Sequence, residues 1–600
     1  MRPSWQVREK DASMPGYNRI EIGSFSNELD SGRLDLKRDS RLSTGVGAGL
    51  PDRSRRSLSA GVDGVGEIFT FRGMRTISYH RHSSHSSGDN VINRRQFVTG
   101  AGLAVAGTLS GSVRHALAME AGRSDSTLFS VDVARAIGSL AHFWEKAAGS
   151  DRTVVGLREQ WRQDLIRVQR ETGIQSVRCH GLFDDEMGIA AAGAGNFNFL
   201  YVDQVYDFML DHGVRPFVEL SFMPEAFAST ANRIFAYKGN VSPPRNWQDW
   251  HNMIQAFTEH CVKRYGIAEV RGWKFEVWNE PNISFWAGSQ QEYFELYKQS
   301  ALAIKKVDTQ LQVGGPSTAQ LGWIPDLIQY CATQGVPLDF VSTHVYPDDP
   351  QKYIFGKDHL YSFEQLIPRG VEHVKQQVQA SKMPNLPLWI TEWSSQNPAF
   401  IADTIKNCIG LAEAMSYWTF SNVFEEGGVP SGIFNSTFGM LDQWGIARPS
   451  FHAFVLLHKL GESMLQSDAG PVLATRRADG SIAILLWNLI PASEGGIANG
   501  NPMAATGGSN ESKGAARQFR LKFSGLRTPA TVAISEVNMH AGSAVPKWRE
   551  MGSPKYPSAS QIAELRSAAE LKKPESHALQ GDEFSIELPP NGIALLELAH

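Results

Sequence analysis

From about residue 125 the chain alternates short apolar runs with amphipathic stretches, a pattern typical of βαβα units around a parallel sheet. The apolar runs predict strands at 176–180, 214–220, 273–280, 311–315, 340–344, 388–392 and 417–420. The stretches between them have helical spacing and predict helices at 157–171, 203–213, 247–265, 292–307, 324–334, 361–381 and 401–415. A further strand, placed near residues 137–143, would complete an eightfold (β/α)8 barrel over 119–457.

After about residue 457 the pattern changes to short strands separated by turn residues. Runs at 471–477, 482–487, 530–534 and 583–588 predict a C-terminal β-sandwich domain over 458–600. Residues 127–132 are a candidate to pair with this domain. The stretch 494–514 is rich in Gly, Asn and Ser and predicts a long loop.

The N-terminal part of the chain differs from both domains. Residues 1–92 are rich in Ser, Arg, Gly and Asp without apolar periodicity, so we expect them to be disordered. A twin arginine at Arg94 and Arg95, a short apolar run and the sequence Ala116-Leu-Ala118 then predict a Tat signal peptide over 93–118, and hence an exported protein. That run is too short for a membrane span, which needs about 20 residues. Met74 is an alternative start for translation.

Composition narrows the class of partner. The chain has 42% apolar residues, enough for a large core, and a formal charge of −4. Residues 1–118 hold 17 Lys and Arg against 11 Asp and Glu, a formal charge of +6, so the rest of the chain carries a formal charge of −10. A mildly acidic body argues against a nucleic-acid partner. The four cysteines have no metal-ligand spacing, so we expect buried free thiols.

Two carboxylates end apolar runs within the predicted barrel. Glu280 follows the run Trp273–Trp278, which Pro281 must terminate, and Glu392 ends a second run between aromatic residues. The 112 residues between them correspond to about three βα units of about 35 residues. We therefore place them on strands four and seven. Two carboxylates at one end of a barrel are what glycoside hydrolysis requires.

Strand alternation adds neighbours to this pair. It groups Glu276 and Trp278 with Glu280, Ile390 with Glu392, Arg178 with His180, and Ser342 with His344. Two alternatives remain open for Arg178: it holds Glu392 ionised, or it forms a buried salt bridge with Glu276.

Several motifs together resemble glycoside hydrolase family 39, the β-xylosidase and α-L-iduronidase family of retaining (β/α)8-barrel enzymes. They run in order along 140–460: Arg178-Cys-His-Gly-Leu-Phe-Asp-Asp185, Pro216-Phe-Val-Glu-Leu-Ser-Phe-Met-Pro-Glu225, Trp278-Asn-Glu-Pro281, Val313-Gly-Gly-Pro316, Asp339-Phe-Val-Ser-Thr-His-Val-Tyr-Pro347, Ile390-Thr-Glu-Trp393, Tyr417-Trp-Thr-Phe420 and Phe424-Glu-Glu-Gly-Gly428.

The resemblance implies roles for named residues. It makes Glu280 the general acid/base and Glu392 the nucleophile, with Asn279 donating to the sugar 2-hydroxyl. It implies that the sugar pocket is lined by His180, His344, Tyr346 and Glu425. Glu426, adjacent to Glu425, is the alternative for that role, and two alternatives stay open for Trp393 and Trp418: an apolar wall under the sugar ring or core packing. The segment Phe434-Asn-Ser-Thr-Phe-Gly439 and Cys179 depart from the family pattern, and the first departure affects the expected sugar preference.

We therefore expect an exo-acting β-xylosidase that works by double displacement through a covalent glycosyl-enzyme. An α-L-iduronidase-like or exopolysaccharide-cleaving hydrolase is the alternative within the family, and a carbohydrate-binding pseudo-enzyme is the non-enzyme alternative. An iduronidase needs cations for the substrate carboxylate, and no clear Lys or Arg cluster adjoins the motifs. The expected partner is a carbohydrate substrate without a metal, organic cofactor, nucleic acid or membrane. The oligomeric state stays open.

Overall fold

Eight parallel strands close into a barrel in the computed structural model of the protein. The structure describes residues 127–434, 438–494, 514–526, 531–579 and 581–599. We number the barrel strands 1 to 8 in chain order: Ala148–Arg152, Ser176–His180, Arg215–Leu220, Lys274–Val277, Gln312–Thr318, Phe340–His344, Leu388–Trp393 and Ala414–Tyr417. Neighbouring strands in the barrel are also neighbours along the chain, and strand 8 pairs with strand 1.

Helices lie between the strands and cover the barrel. They are Glu159–Thr172, Leu200–Asp211, Trp247–Tyr265, Ile267–Val270, Gln290–Val307, Ile324–Gln334, Gln351–Phe355, Phe363–Gln379, Pro398–Asn407 and Pro449–His458, with 3-10 turns at Thr153–Leu157, Asp185–Met187 and Ala319–Leu321. A small hairpin, Arg233–Ile234 with Gly239–Asn240, projects after strand 3. Within the described ranges, no helix has the length and apolar character needed to cross a membrane.

The barrel interior changes from apolar to charged along its axis. Phe217, Phe340 and Trp389 form an apolar cluster near the N-terminal ends of strands 3, 6 and 7. Two residues further along strand 3, Glu219 also points inward, because side chains alternate between faces. Charged groups therefore lie toward the C-terminal end of the barrel, the face at which active sites lie in this architecture.

The second domain is one hydrogen-bonded sheet of nine strands, where the sequence predicted a sandwich of two sheets. In spatial order the strands are Glu575–Ala578, Thr531–Val537, Ile593–Ala599, Ile482–Trp487, Val472–Arg476, Ser463–Ser467, Thr127–Ser139, Arg517–Ser524 and Glu583–Leu588. The sheet curls so that one face encloses its own core, which includes Phe129, Ile484 and Leu521. Two helices, Val545–Glu550 and Ala559–Ala569, and a 3-10 turn, Ala492–Glu494, complete the domain.

The fold class is confirmed as a (β/α)8 barrel followed by a β domain, but three element predictions are wrong. The strand expected at 137–143 is the end of Thr127–Ser139, which belongs to the nine-stranded sheet, and Ala148–Arg152 opens the barrel instead. The last barrel strand is Ala414–Tyr417 and not 417–420, and the helix expected at 401–415 ends at Asn407. Residues 1–126 and 495–513 lie outside the described residues, and with them the predicted disorder, signal peptide and most of the long loop.

All four cysteines are buried free thiols, as predicted: Cys179, Cys261, Cys331 and Cys408. Burial raises the pKa of each thiol, so they stay protonated at neutral pH.

Candidate active site

Glu280 lies just beyond strand 4 and is held there by an unusual backbone. The strand ends at Val277, and both Trp278 and Glu280 have positive φ, 73° and 47°. The expected alternation of residues 276, 278 and 280 is therefore wrong, because the chain turns at Trp278. Positive φ is costly for residues with a side chain and concentrates at functional sites. The backbone N–H of Glu280 donates to the carbonyl of Ser317 at 2.8 Å, which fixes the turn.

Glu392 reaches the cleft through an irregularity in strand 7. The pairing register with strand 6 shifts between Ile390 and Glu392. As a result Thr391 faces the barrel interior, where its hydroxyl donates to Glu276 at 2.9 Å, while Ile390 packs in the core. The expectation that Ile390 and Glu392 share a face is wrong for this reason. The placement of the two carboxylates at strands four and seven is correct.

The two carboxylates converge on one histidine. His344 Nδ1 lies 3.0 Å from Glu280 Oε1 and 3.6 Å from Glu392 Oε2. One carboxyl oxygen of Glu280 lies within 4.8 Å of one oxygen of Glu392. Each oxygen of Glu392 also accepts a hydrogen bond, from Arg178 Nη1 at 2.8 Å and from the Tyr346 hydroxyl at 2.9 Å.

These environments give Glu280 and Glu392 different pKa values. Burial raises the pKa of Glu280 well above its usual value, and the nearby charge of Glu392 raises it further. Burial also raises the pKa of Glu392, but Arg178 and His180 oppose that rise. Glu392 therefore ionises first and Glu280 keeps its proton, the division that acid catalysis beside a nucleophile requires. Burial and the two nearby cations lower the pKa of His344 well below its usual value, so its ring is neutral.

Arg178 satisfies both alternatives left open by the sequence. Its guanidinium is fully buried and binds Glu276 through Nε at 2.5 Å and Glu392 through Nη1 at 2.8 Å. Its Nη2 lies 2.8 Å from Glu219 and donates to the amide oxygen of Asn279 at 3.1 Å. That bond fixes the Asn279 side chain with its NH₂ group free to donate elsewhere.

Glu426, and not Glu425, is the acidic residue beside the other histidine. Glu426 Oε1 lies 3.4 Å from His180 Nε2. Glu425 turns the other way, where it binds Arg158 and accepts from Arg152 Nη1 at 3.0 Å. The sequence prediction that Glu425 lines the pocket is therefore not supported by the geometry, since two arginines hold its carboxylate.

Of the two tryptophans proposed as a wall, only Trp418 lies beside the charged groups. Its ring centroid is 4.5 Å from that of His180, and the ring of Phe235, in the small hairpin, is stacked with that of His180 at a centroid distance of 6.2 Å. Trp393 instead packs against Phe454 in the core behind strand 7.

Comparison with known proteins decides the family. The chain matches the family model of glycosyl hydrolases family 39 over residues 127–583. It belongs to this family. Two curated β-xylosidases are similar to it: that of Caldicellulosiruptor saccharolyticus is 37% identical over 74% of this chain and 91% of its own length, and that of Geobacillus stearothermophilus is 35% identical over 76% and 92%. A monomeric β-xylosidase from Caulobacter crescentus CB15, solved by crystallography, superposes with a TM-score of 0.71 at 31% identity, over 79% of this chain and 99% of that one.

Six of the seven predicted site residues of this family 39 glycosidase form one network of contacts in the structure. They are His180, Asn279, Glu280, His344, Tyr346 and Glu392. Glu219, Ser317 and Phe235 join the network without having been predicted. The divergent residues 435–437 lie outside the described ranges. Cys179 points away from the cleft into the helix-facing core.

Proposed function

We propose that the protein is a retaining, exo-acting β-xylosidase that uses Glu392 as nucleophile and Glu280 as acid/base. The observation that carries the proposal is the approach of the two carboxylates to within 4.8 Å. Retaining glycosidases separate the pair by about 5–5.5 Å, whereas inverting enzymes leave about 6.5–9.5 Å for a water molecule.

The first chemical step follows from the two protonation states. Glu280 transfers its proton to the glycosidic oxygen as the ionised oxygen of Glu392 attacks the anomeric carbon. The carbon–oxygen bond to the leaving group breaks, the leaving group departs as an alcohol, and the sugar remains as an ester on Glu392. Arg178 and Tyr346 orient the attacking carboxylate through their hydrogen bonds.

The second step returns the enzyme to its starting state. Glu280, now ionised, takes a proton from water as the water oxygen attacks the anomeric carbon, and Glu392 leaves as a carboxylate. Two inversions give net retention. Asn279, whose amide oxygen accepts from Arg178, keeps its NH₂ group for donation and would donate it to the sugar 2-hydroxyl in both steps.

The walls of the site support a small terminal sugar as substrate. The hairpin residue Ala236 donates through its N–H to the carbonyl of Glu426 at 2.8 Å, so the hairpin and the loop carrying Glu426 meet beside His180. Phe235 and Trp418 fill the space around that ring. A pocket closed in this way selects xylose by excluding the hydroxymethyl group of a hexose. The free-energy penalty of such a clash can exceed the binding energy of about 1–3 kcal/mol that is lost with a missing methylene group.

A uronic acid substrate is less well supported because the arginines at this end of the barrel are already paired. Arg178 binds three carboxylates, and Arg152 and Arg158 both bind Glu425. A substrate carboxylate would have to compete with these internal partners.

The decisive experiment combines a substrate panel with variants of the two acids. Aryl β-xyloside should be turned over faster than the β-glucoside, α-L-arabinoside and α-L-iduronide. Glu392→Ala should abolish turnover of every substrate. Glu280→Ala should lower kcat/KM about 10²–10⁴-fold for a substrate with a poor leaving group. It should lower kcat/KM little when the leaving group is dinitrophenolate, because only the poor leaving group needs a proton.

Azide distinguishes the two roles by the product that it forms. Glu280→Ala should give a β-glycosyl azide from the intact glycosyl-enzyme, whereas Glu392→Ala should give the α-anomer by direct attack. Glu259→Ala, an exposed helical glutamate, serves as the matched control and should retain wild-type rates. Identical azide products from both acid variants would refute the assignment, and preferred turnover of the iduronide would refute the xylosidase proposal alone.

A further inference from the structure

Glu219 links Arg178 and His180 at the site without reaching the cleft itself. It lies on strand 3 and is 1% exposed. Its Oε2 lies 2.8 Å from both Arg178 Nη2 and His180 Nδ1. The hydroxyl of Ser221 donates to its other oxygen. A carboxylate with three such donors is fixed in position and remains ionised; the two cations and these hydrogen bonds outweigh burial and lower the pKa of Glu219.

The contact with Glu219 determines which atom of His180 faces the cleft. Because Nδ1 binds Glu219, the opposite nitrogen, Nε2, is directed at Glu426 and Glu392, at 3.4 and 3.8 Å. The rings of Trp418 and Phe235 lie near the imidazole, with centroids at 4.5 and 6.2 Å, and restrict its rotation.

We propose that Glu219 is a positioning residue that holds His180 as an imidazolium, so that its Nε2–H faces the cleft as a charged donor to a substrate hydroxyl. A hydroxyl both donates and accepts, so it can bridge the Nε2–H of His180 and the carboxylate of Glu426. Charge-assisted hydrogen bonds of this kind are roughly twice as strong as neutral ones. The identity of the ligand as a sugar rests on the proposed function, but the charge of His180 does not.

The charges around His180 favour the doubly protonated ring. Burial lowers its pKa, but the carboxylates of Glu219, Glu426 and Glu392 raise it well above the usual value. The other charged or titratable groups near it are Arg178, which shares Oε2 of Glu219 with its ring, and His344, Glu280, Asp151 and Asp184. Burial raises the pKa of Glu280 well above its usual value, but it raises the pKa of Asp151 and Asp184 only to about 6 and about 7, so both aspartates are ionised at pH 8 with or without Glu219. Glu219, at 2.8 Å from Nδ1, is the carboxylate nearest to the ring, and we expect it to decide the state.

The test is to measure the protonation of His180 in the resting protein. Imidazole ¹⁵N resonances of the histidine-labelled full chain, assigned with His180→Gln, should show both ring nitrogens protonated at pH 8. In Glu219→Gln the ring should become neutral at pH 8, since the unperturbed pKa is about 6.5 and burial lowers it. The same variant should raise KM for an aryl β-xyloside about 10–100-fold at pH 8, the loss expected for a charge-assisted hydrogen bond.

Glu276→Gln is the matched control, because Glu276 also binds Arg178 but does not contact His180. It should leave His180 charged at pH 8. Ser221→Ala removes only a donor to Glu219 and should also leave the ring charged, which makes it a second control. If Glu219→Gln unfolds, the protonation of His180 in the wild-type protein at pH 8 still tests the proposal.

Two results would overturn the proposal. One is a neutral His180 in the wild-type protein at pH 8, and the other is a ring that stays doubly protonated in folded Glu219→Gln. Neither measurement requires turnover, so a protein inactive on every glycoside would refute the proposed function while the charge of His180 is still decided.

Discussion

At the scale of single residues, Arg178 connects strands that are far apart in sequence. Its donors reach Glu219, Glu276 and Glu392, on strands 3, 4 and 7, and the hydroxyl of Ser317 on strand 5. A buried guanidinium is tolerated only when its donors are satisfied, so the position of each partner constrains the others. The charge that keeps Glu392 ionised therefore also holds this end of the barrel in register.

Tyr346→Phe should shift the acid limb of the pH profile to higher pH. The Tyr346 hydroxyl donates to Glu392 Oε2 at 2.9 Å and so stabilises the ionised form. Losing a hydrogen bond to a charged group costs about 1.5–3 kcal/mol, which corresponds to a rise of about 1–2 units in the pKa of Glu392. Because the nucleophile must be ionised, kcat/KM for an aryl β-xyloside should fall about 10–100-fold on the acid side of the optimum and little on the alkaline side.

Tyr237→Phe is the control for this shift. Its hydroxyl is buried and has no hydrogen-bond partner among the described residues, so the acid limb should stay in place. An unchanged acid limb in Tyr346→Phe would mean that another group than Glu392 sets it.

At the scale of elements, the strands with apolar runs were predictable and the others were not. Ser176–His180 and Phe340–His344 have the predicted bounds. Barrel strand 1, Ala-Gly-Ser-Asp-Arg, has no large apolar residue and gives no strand signal, although all five residues are buried. The reason for its small residues is visible only in the folded chain, where Trp418, from the opposite end of the barrel sequence, lies against Gly149.

Gly149→Ala should therefore damage the site from a distance. A Cβ at this position would lie 2.2 Å from Trp418 Cε3 and 2.8 Å from Cζ3. The Trp418 ring is buried and packs against His180, so His180 should move when the ring is displaced. A displacement of about 1 Å in a catalytic site can cost about 10²-fold, and we expect that loss in kcat/KM for an aryl β-xyloside.

Gly138→Ala provides the comparison for Gly149→Ala. Gly138 lies in a strand of the second domain, and its added Cβ would only touch the flexible end of Met464 at 3.4 Å. Activity and thermal stability should both stay near the wild-type values. Equal rates in Gly149→Ala and the wild type would show that Trp418 does not position His180.

As with the strands, some active-site residues could be predicted from local sequence and others could not. Glu280 and Glu392 were predictable because each ends an apolar run beside aromatic residues. Glu219 lies in an apolar strand two residues after Phe217, and that spacing marks it as inward-facing. Its role was missed because its partners lie on strand 2, 39 residues away for His180, and only barrel closure brings them together. The choice between Glu425 and Glu426 likewise depends on Arg152 and Arg158, which the local sequence does not reveal.

At the scale of the whole molecule, the two domains share a continuous core. The outer face of the nine-stranded sheet contributes Leu485, Trp487 and Leu595 to the same cluster as the barrel helices. Trp487 Nε1 donates to Asp403 of the helix Pro398–Asn407 at 3.0 Å. Since neither domain can unfold without exposing part of the shared core, we expect them to unfold together.

Trp487→Ala should test this coupling. The side chain is 1% exposed, and removing a buried Trp costs about 3–5 kcal/mol of the free energy of unfolding. In scanning calorimetry the variant should show one transition at lower temperature, and enzymatic activity should be lost over the same interval although Trp487 lies outside the site. Tyr556→Ala, which truncates a side chain 69% exposed in the same domain, should change the free energy of unfolding by no more than about 0.5 kcal/mol. Two separate transitions, with activity following only the unshifted one, would show instead that the barrel is stable without its contact to the sheet.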